Sequence, residues 1–217
     1  MDIDAIPNPC ETRDRRAARR QTRREAILNV AQRSFLEHGY AATKMSAIAA
    51  ELGGSKGTLW SYFPAKDLLF AAVVDRATEA FQQQLTLLLN PQDELEATLR
   101  RFARGFLQRV TSPEALALYR LVVAEAGRFP ETGRIFQERA MGRTRAQVAT
   151  YLAGMMTRGL LRNDDPEMAA QQLVGLCLSG SHQMMVMRSI ESVDAALLDA
   201  EATNCIATFL RAFSSRD

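Results

Sequence analysis

Lys-Met-Ser-Ala-Ile-Ala-Ala-Glu-Leu-Gly-Gly-Ser-Lys-Gly-Thr-Leu-Trp-Ser-Tyr-Phe, residues 44–63, decides how this chain is read. Met45, Ile48, Ala49 and Leu52 recur at three- and four-residue steps, the period of one buried face on a two-turn helix. Gly53-Gly54 breaks that helix, and Ser55 is placed to cap a second short one reaching about Tyr62. Two short helices about a glycine turn describe a helix-turn-helix. The first props the second across a duplex. The second must present small or polar side chains to enter a major groove about 12 Å wide. Ser55, Lys56, Thr58, Ser61 and Tyr62 offer hydrogen-bonding groups there, while Leu59 and Phe63 read as core. Trp60 has two readings, packed against the unit or touching the DNA backbone. The N-terminal end of the second helix suits a phosphate, and Lys44 and Lys66 flank the unit within reach of phosphates on either side.

Charge supports the same reading. The formal net charge of the 217 residues is only +2. Residues 1–66, however, hold 11 Lys and Arg against 7 Asp and Glu, whereas residues 67–217 hold 16 against 18. Seven arginines fall between Arg13 and Arg24, and all three lysines (Lys44, Lys56, Lys66) fall in one window. That asymmetry points to a polyanion-binding module at the N-terminal end. The arginine run is either a solvated helix extension or an arm that reaches DNA. Residues 1–20 are expected to form a disordered basic tail, because their first twelve carry two prolines and no periodicity.

The rest of the chain reads as helix. Ala, Leu, Arg, Gln and Glu dominate, proline is scarce, and no period-2 run rich in Val, Ile and Thr suggests a strand. A helix over about 20–37 precedes the pair, with Ile27, Val30, Ala31 and Phe35 on one face and Gly39 suited to a left-handed stop. Another runs over about 65–89. Further helices are expected near 93–110, 114–126, 131–161, 165–188 and 193–213, with Asp165-Pro166-Glu167 a strong start signal. The fold class is all-α, of about nine helices. No apolar stretch is long enough to cross a membrane, and no signal peptide is visible. Three cysteines, Cys10, Cys177 and Cys205, are an odd count without C-x-x-C spacing, which suggests a reducing, cytoplasmic setting. No metal spacing, nucleophile elbow, phosphate loop or dinucleotide fingerprint occurs. Neither an enzyme nor a cofactor or metal protein is therefore expected.

Ile27-Leu28, Ala31, Phe35, Gly39-Tyr40, Ile48-Ala49, Gly53, Ser55-Lys56-Gly57-Thr58-Leu59, an aromatic at 60, Phe63 and Lys66 with Leu69 together resemble the TetR family of bacterial transcriptional regulators. The resemblance covers roughly residues 21–81. It implies a DNA-binding domain over 21–81, with its helix-turn-helix at 44–63, and a helical ligand-binding and dimerisation domain over 82–217. It places DNA contacts at Thr43, Lys44, Ser46, Ser55, Lys56, Gly57, Thr58, Trp60, Ser61 and Tyr62, and a phosphate contact at Lys66. Three positions depart from the family's usual residues. Gly54 stands where an aliphatic is usual, Trp60 where tyrosine is usual, and Lys44 where a Thr or Ser caps the second helix. Thr43 is left to cap in its place. Tyr119 to Glu131, and the later Gly159-Leu160 with Asp165-Pro166, are similar to the AefR-like type of C-terminal domain.

In that second domain Phe102, Phe106, Tyr119, Val122, Val123, Phe136, Met155 and Met156 are either a ligand cavity or plain core. Glu125 and Arg128 read as an ion pair before they read as ligand contacts. His182 is either a satisfied interface histidine or a pocket residue. Leu173, Leu176, Cys177, Gly180 and Met184 form one stripe, and Cys205, Ile206, Phe209 and Phe213 another. The stripes are either a four-helix interface between two copies or packing inside one chain. Cys177 and Cys205 read as buried structural thiols before a redox switch. The expected partners are a palindromic DNA operator, a second copy of the chain and a small, largely apolar effector, with no membrane. The competing readings are a module that binds protein instead of DNA and a small enzyme.

Overall fold

The computed structural model describes residues 9–53 and 56–215, with side chains over 15–53 and 57–215. Among the described residues the chain is helical, with one isolated antiparallel bridge between Leu161 and Ser214 and no strand. It divides into two units between Val73 and Val74, before the domain edge expected at residue 81.

The first unit holds α1 (Pro9–Ala42), α2 (Met45–Glu51), α3 (Lys56–Tyr62) and the first turns of α4 (Lys66–Leu88). Ile27, Leu28, Ala31 and Phe35 of α1 are fully buried, as are Leu69 and Phe70 of α4. Phe35, Tyr40 and Phe70 form an aromatic cluster, with ring centroids 5.2 to 5.8 Å apart. Ile48 and Leu59, at 1% and 2% exposure, bring α2 and α3 onto this core. Gly39 breaks α1 before its last residues. Its φ of 81° and ψ of 169° lie where a side chain is strained.

The expected disordered tail is corrected over 9–20, which is helical; residues 1–8 lie outside the described residues. Ala17, Ala18 and the neighbouring arginines are strong helix formers. The helix is tied further on by Gln21 Nε2 donating to Glu25 Oε1 at 2.9 Å.

The second unit holds the rest of α4, then α5 (Leu95–Val110), α6 (Pro113–Glu125), α7 (Pro130–Phe136), a π-helical turn (Gln137–Gly142), α8 (Arg143–Thr157), α9 (Pro166–Leu178), α10 (Ser181–Val186) and α11 (Ala195–Phe213). Side chains at the starts supply the caps. Glu94, Ser112, Asp165 and Asp194 each accept from backbone N–H groups of the first turn they precede. Leu99, Phe102, Leu107, Leu152, Leu173, Ile206 and Phe209 anchor one core shared by α4, α5, α8, α9 and α11.

Two expected helices are divided. The segment expected as one helix over 131–161 carries the π-turn at Gln137–Gly142. Gly142 permits it: a Cβ there would stand 2.9 Å from the Gln137 carbonyl oxygen. The segment expected over 165–188 stops at Ser179 and restarts at Ser181. Glu201 of α11 explains that break. Its Oε1 accepts from the Ser181 N–H at 2.9 Å and the Ser181 hydroxyl at 2.6 Å, and so caps the restarted helix. A Cβ on Gly180 would lie 2.7 Å from that same oxygen.

Candidate nucleic-acid interface and effector cavity

α2 ends through Gly53, whose N–H donates to the Ala50 carbonyl at 3.1 Å and whose left-handed φ of 62° turns the chain out of the helix. Three arginines of the run that suggested an arm hold the unit together. Arg23 donates to the Leu52 carbonyl at 3.2 Å, satisfying the end of α2. Arg24 lies over the Phe63 ring at 5.6 Å, and Arg20 over the Tyr62 ring at 5.7 Å. Arg33 pairs with Glu51. Arg15, Arg16 and Arg19 stay exposed on the helix extension. The docking arginines were legible only as charge, because nothing in their spacing names the ring or carbonyl each one meets.

Lys44, Ser46, Gly57, Trp60 and Ser61 are exposed, with Trp60 at 38%. Thr58 and Tyr62 are half-buried. Ser61 spends its hydroxyl on the Thr58 carbonyl at 2.7 Å. Ser55 and Gly54 lie outside the described residues, and Lys56 is described only as the first residue of α3.

Two expected DNA contacts have partners inside the chain. Thr43 is 2% exposed, and its hydroxyl bonds back to the carbonyls of Gly39 at 2.8 Å and Ser34 at 3.0 Å. It therefore closes the end of α1 and does not cap α2; the N-cap there is Lys44, with no side-chain bond. Lys66 is half-buried, and its ammonium points inward. It donates to the carbonyls of Tyr40 at 2.7 Å, Thr43 at 3.2 Å and Ala41 at 3.5 Å, and it lies 4.3 Å from the Tyr40 ring centroid. A lysine has three N–H donors. α1 has no basic residue in its own last turn, so Lys66 brings the cation that its negative end favours.

In the second unit an apolar cavity of about 60 Å³ lies among α4, α5, α6 and the α7–π–α8 run. Phe81, Phe106, Val110, Leu118, Phe136 and Met141 line it. Its polar lining is Thr78, Gln82, Arg109 and Thr144; Gln82 donates to Thr144 Oγ1 at 2.9 Å, and Arg109 is bound to the Ser112 hydroxyl and the Ala77 carbonyl. The Gln82 carbonyl oxygen is buried without a hydrogen-bond partner. Asp75 holds this wall to α4 through Arg139 at 2.7 Å and Arg143 at 2.9 Å.

The expected pocket set does not converge here. Phe106 and Phe136 reach this cavity, whereas Phe102, Met155 and Met156 are packed in the main core. Tyr119 and Val123 line a separate groove with His182 and Met187. Val122 is buried, 5% exposed, and lines neither. Thr78, Phe81 and Gln82 were missed. Their three- and four-residue steps on α4 mark a buried face but do not tell a cavity wall from a packed one.

The first unit matches the family model described as bacterial regulatory proteins, tetR family, over residues 27–73. Residues 97–215 match the model for the C-terminal domain of AefR-like transcriptional repressors. The chain belongs to the TetR family.

Its TetR relatives include the HTH-type transcriptional repressor NemR of Escherichia coli, 27% identical over 191 residues, 85% of this chain and 94% of that one. The solved structure of the flavonoid-responsive regulator FrrA is 30% identical with a TM-score of 0.77, covering 91% of this chain and all of that one. A TetR-family regulator from Mesorhizobium loti is 28% identical with a TM-score of 0.77, over 89% and 98% of the two chains. The family and these relatives are transcriptional regulators, not enzymes, and this TetR chain is a DNA-binding transcriptional regulator. Among the described residues no helix is long and apolar enough to cross a membrane.

The two stripes read as a subunit interface are corrected in part. Leu173, Cys177, Ile206, Phe209 and Phe213 are at most 2% exposed within one chain. They pack α9 and α11 onto the core of this TetR second unit. Leu176 and Cys205 are partly buried against it. Gly180 makes room for Glu201. Met184 alone of the set is well exposed, at 41%. Apolar steps of three and four residues cannot say whether the partner face is in the same chain or in another.

His182 is buried, with its ring edge-on to Tyr119 at 5.2 Å. Burial holds its pKa below the ordinary 6.5, against a smaller opposing pull from a hydrogen bond to the Leu178 backbone. As pH falls, the unfolded chain therefore takes the proton first. The histidine's contribution to stability is complete above about pH 6.5 and is lost as pH drops from there through the folded-state pKa. Replacing His182 with Gln is expected to flatten the decline of the thermal midpoint between about pH 7 and 5. An unchanged pH profile in that variant would refute the assignment.

Proposed function

We propose that this regulator is a homodimeric repressor, held on a palindromic operator and released by a small, largely apolar effector. The observation that carries the reading is the course of α4. Leu69 and Phe70 at its start are core of the helix-turn-helix unit, and Thr78, Phe81 and Gln82 further along wall the apolar cavity. One uninterrupted helix thus has a face in each function. An effector that fits the cavity better in one tilt of α4 than in another shifts the spacing of the two recognition helices of a dimer. The lining asks for an apolar body and one hydrogen-bond donor to meet the Gln82 carbonyl. The similar regulator FrrA is flavonoid-responsive by name, which makes hydroxylated aromatic compounds the first effectors to test.

Two-fold symmetry requires half-sites about one helical turn, ~34 Å, apart or a multiple of it. The faces of α9 and α11 that the core leaves open, at Gln171, Gly175 and Ser179 and at Ala200, Asn204 and Thr208, are proposed to meet their copies. The exposed α2–α3 residues Lys44, Ser46, Gly57, Trp60 and Ser61, with Ser55 and Lys56, are proposed to face DNA in the cytoplasm.

The test is an anisotropy titration with the duplex upstream of the protein's own gene, at two salt concentrations, against an unrelated duplex. Specific binding by a species of twice 24.1 kDa, relieved by effector, is the expected result. Lys56→Ala is expected to weaken it by about 1–3 kcal/mol if the lysine meets a base edge. Binding no tighter than to the unrelated duplex, both there and after selection from a random DNA pool, would refute the operator reading.

A further inference from the structure

Arg15, Arg16, Arg19, Arg20, Arg23 and Arg24 lie on one continuous stretch of α1. At about 100° per residue all six fall within one half of the helix circumference. That side is the one α1 buries further on. Arg16, Arg20, Arg23 and Ile27 follow one another at steps of four, three and four residues, and Ile27 is fully buried. Along the stripe the partners change. Ile27 meets the core. Arg23 reaches the Leu52 carbonyl at the end of α2, Arg24 the ring of Phe63, and Arg20 the ring of Tyr62, the last residue of α3. Arg16 lies about 6 Å further along the axis, and there Arg15, Arg16 and Arg19 are exposed.

Two features of this extension say what covers it. Between residues 15 and 22 the side chains are arginine, alanine, glutamine and threonine only. A protein partner would find no large apolar or aromatic anchor there. The pairs Arg15–Arg19, Arg16–Arg20, Arg19–Arg23 and Arg20–Arg24 are also like charges four residues apart, each of which weakens a helix. A row of phosphates removes that repulsion and gives each guanidinium an acceptor. The face also runs on from the α2–α3 unit without a break, because Arg20 and Arg24 tie it to the end of α3.

We propose that Arg15, Arg16 and Arg19 bind the phosphate backbone of duplex DNA beside the stretch that α3 enters. α1 thereby lengthens the interface with contacts that add affinity and leave base choice to α3. The inference rests on the operator reading of α2–α3 given above.

The test replaces Arg15, Arg16 and Arg19 together by glutamine, which favours helix about as well as arginine does, and in a second variant by lysine. Both full-length variants and the wild type are titrated over a series of salt concentrations against two duplexes of equal length. One is the DNA upstream of the protein's own gene, the other an unrelated sequence. The glutamine variant is expected to bind both at least about tenfold more weakly, with a salt slope shallower by about 2–3 for each bound subunit. The lysine variant is expected to keep the wild-type slope, because a phosphate accepts from either cation. Circular dichroism melts of the three proteins are expected to coincide, which separates lost contacts from lost folding. Wild-type slope and affinity in the glutamine variant on both duplexes would leave the extension a solvated helix, or a site for something other than DNA, and overturn the proposal. A loss confined to one duplex would make the arginines readers of bases and overturn the backbone assignment. Failure of the operator reading shows separately, as equal wild-type affinity for the two duplexes. The change in slope still decides the present proposal then, since either duplex offers the same phosphates.

Discussion

Replacing Lys66 with methionine is expected to lower the thermal midpoint of the helix-turn-helix unit by on the order of 10 °C. Methionine keeps the length of the side chain and removes the ammonium. The carbonyls of Tyr40, Ala41 and Thr43 then lose a charged donor, and the Tyr40 ring loses its cation. Charge-assisted bonds of this kind contribute about 2–3 kcal/mol in all once the cation–π contact is included. The lysine also opens α4, where its own helix disfavours a cation. Its place there is explained by the end of α1, not by α4. Circular dichroism melts should show the loss without DNA present, and operator affinity should fall with it. A phosphate contact would behave otherwise: the salt slope of DNA binding would drop by about one while the melt stayed put. That second pattern would return Lys66 to the DNA face.

Gly142→Ala is expected to cost the second unit about 1–3 kcal/mol of stability and, on the proposed function, to abolish effector response before it abolishes DNA binding. The added Cβ would sit 2.9 Å from the Gln137 carbonyl oxygen, a backbone atom that cannot swing aside. The π-turn is then disfavoured, and the segment is driven toward ordinary α-helix. Removing the extra residue of a π-turn rotates the helix on its N-terminal side by about 100° relative to the helix on its C-terminal side. Phe136 and Ala140 would leave the cavity wall, and Arg139 would leave Asp75. Thermal melts, together with titration of a hydroxylated aromatic into the operator complex, check both parts. Wild-type effector response with an unchanged melt would show that the π-turn is dispensable.

The disagreement between sequence and structure is sharpest in the second unit. Asp165-Pro166 announced α9 correctly because an N-cap aspartate and a proline at the first position act within a few residues. Met155, Met156 and Phe102 were equally visible as apolar positions, yet no local signal separated core from cavity. Cavity walls are a property of how neighbouring helices fit, and the π-turn that shapes this one depends on a single glycine. The break between α9 and α10 depends on Glu201, which lies on another helix.

What the sequence by itself determined was local: the two short helices about Gly53, the apolar faces at Ile48 and Leu59, the helix starts, and the family those residues spell. Each of these is set by interactions among residues a few positions apart or by the period of one face. What only the tertiary structure decided was where the cations and thiols go. Lys66 reaches back across the unit to the end of α1, and Arg20, Arg23 and Arg24 turn from a run of positive charge into caps and ring contacts. The Cys205 thiol of α11 donates to the Leu176 carbonyl of α9 at 3.4 Å. The physical reason is the same in each case. A cation or a thiol is satisfied by whichever carbonyl or ring the folded chain brings to it, and that partner stands far away along the sequence.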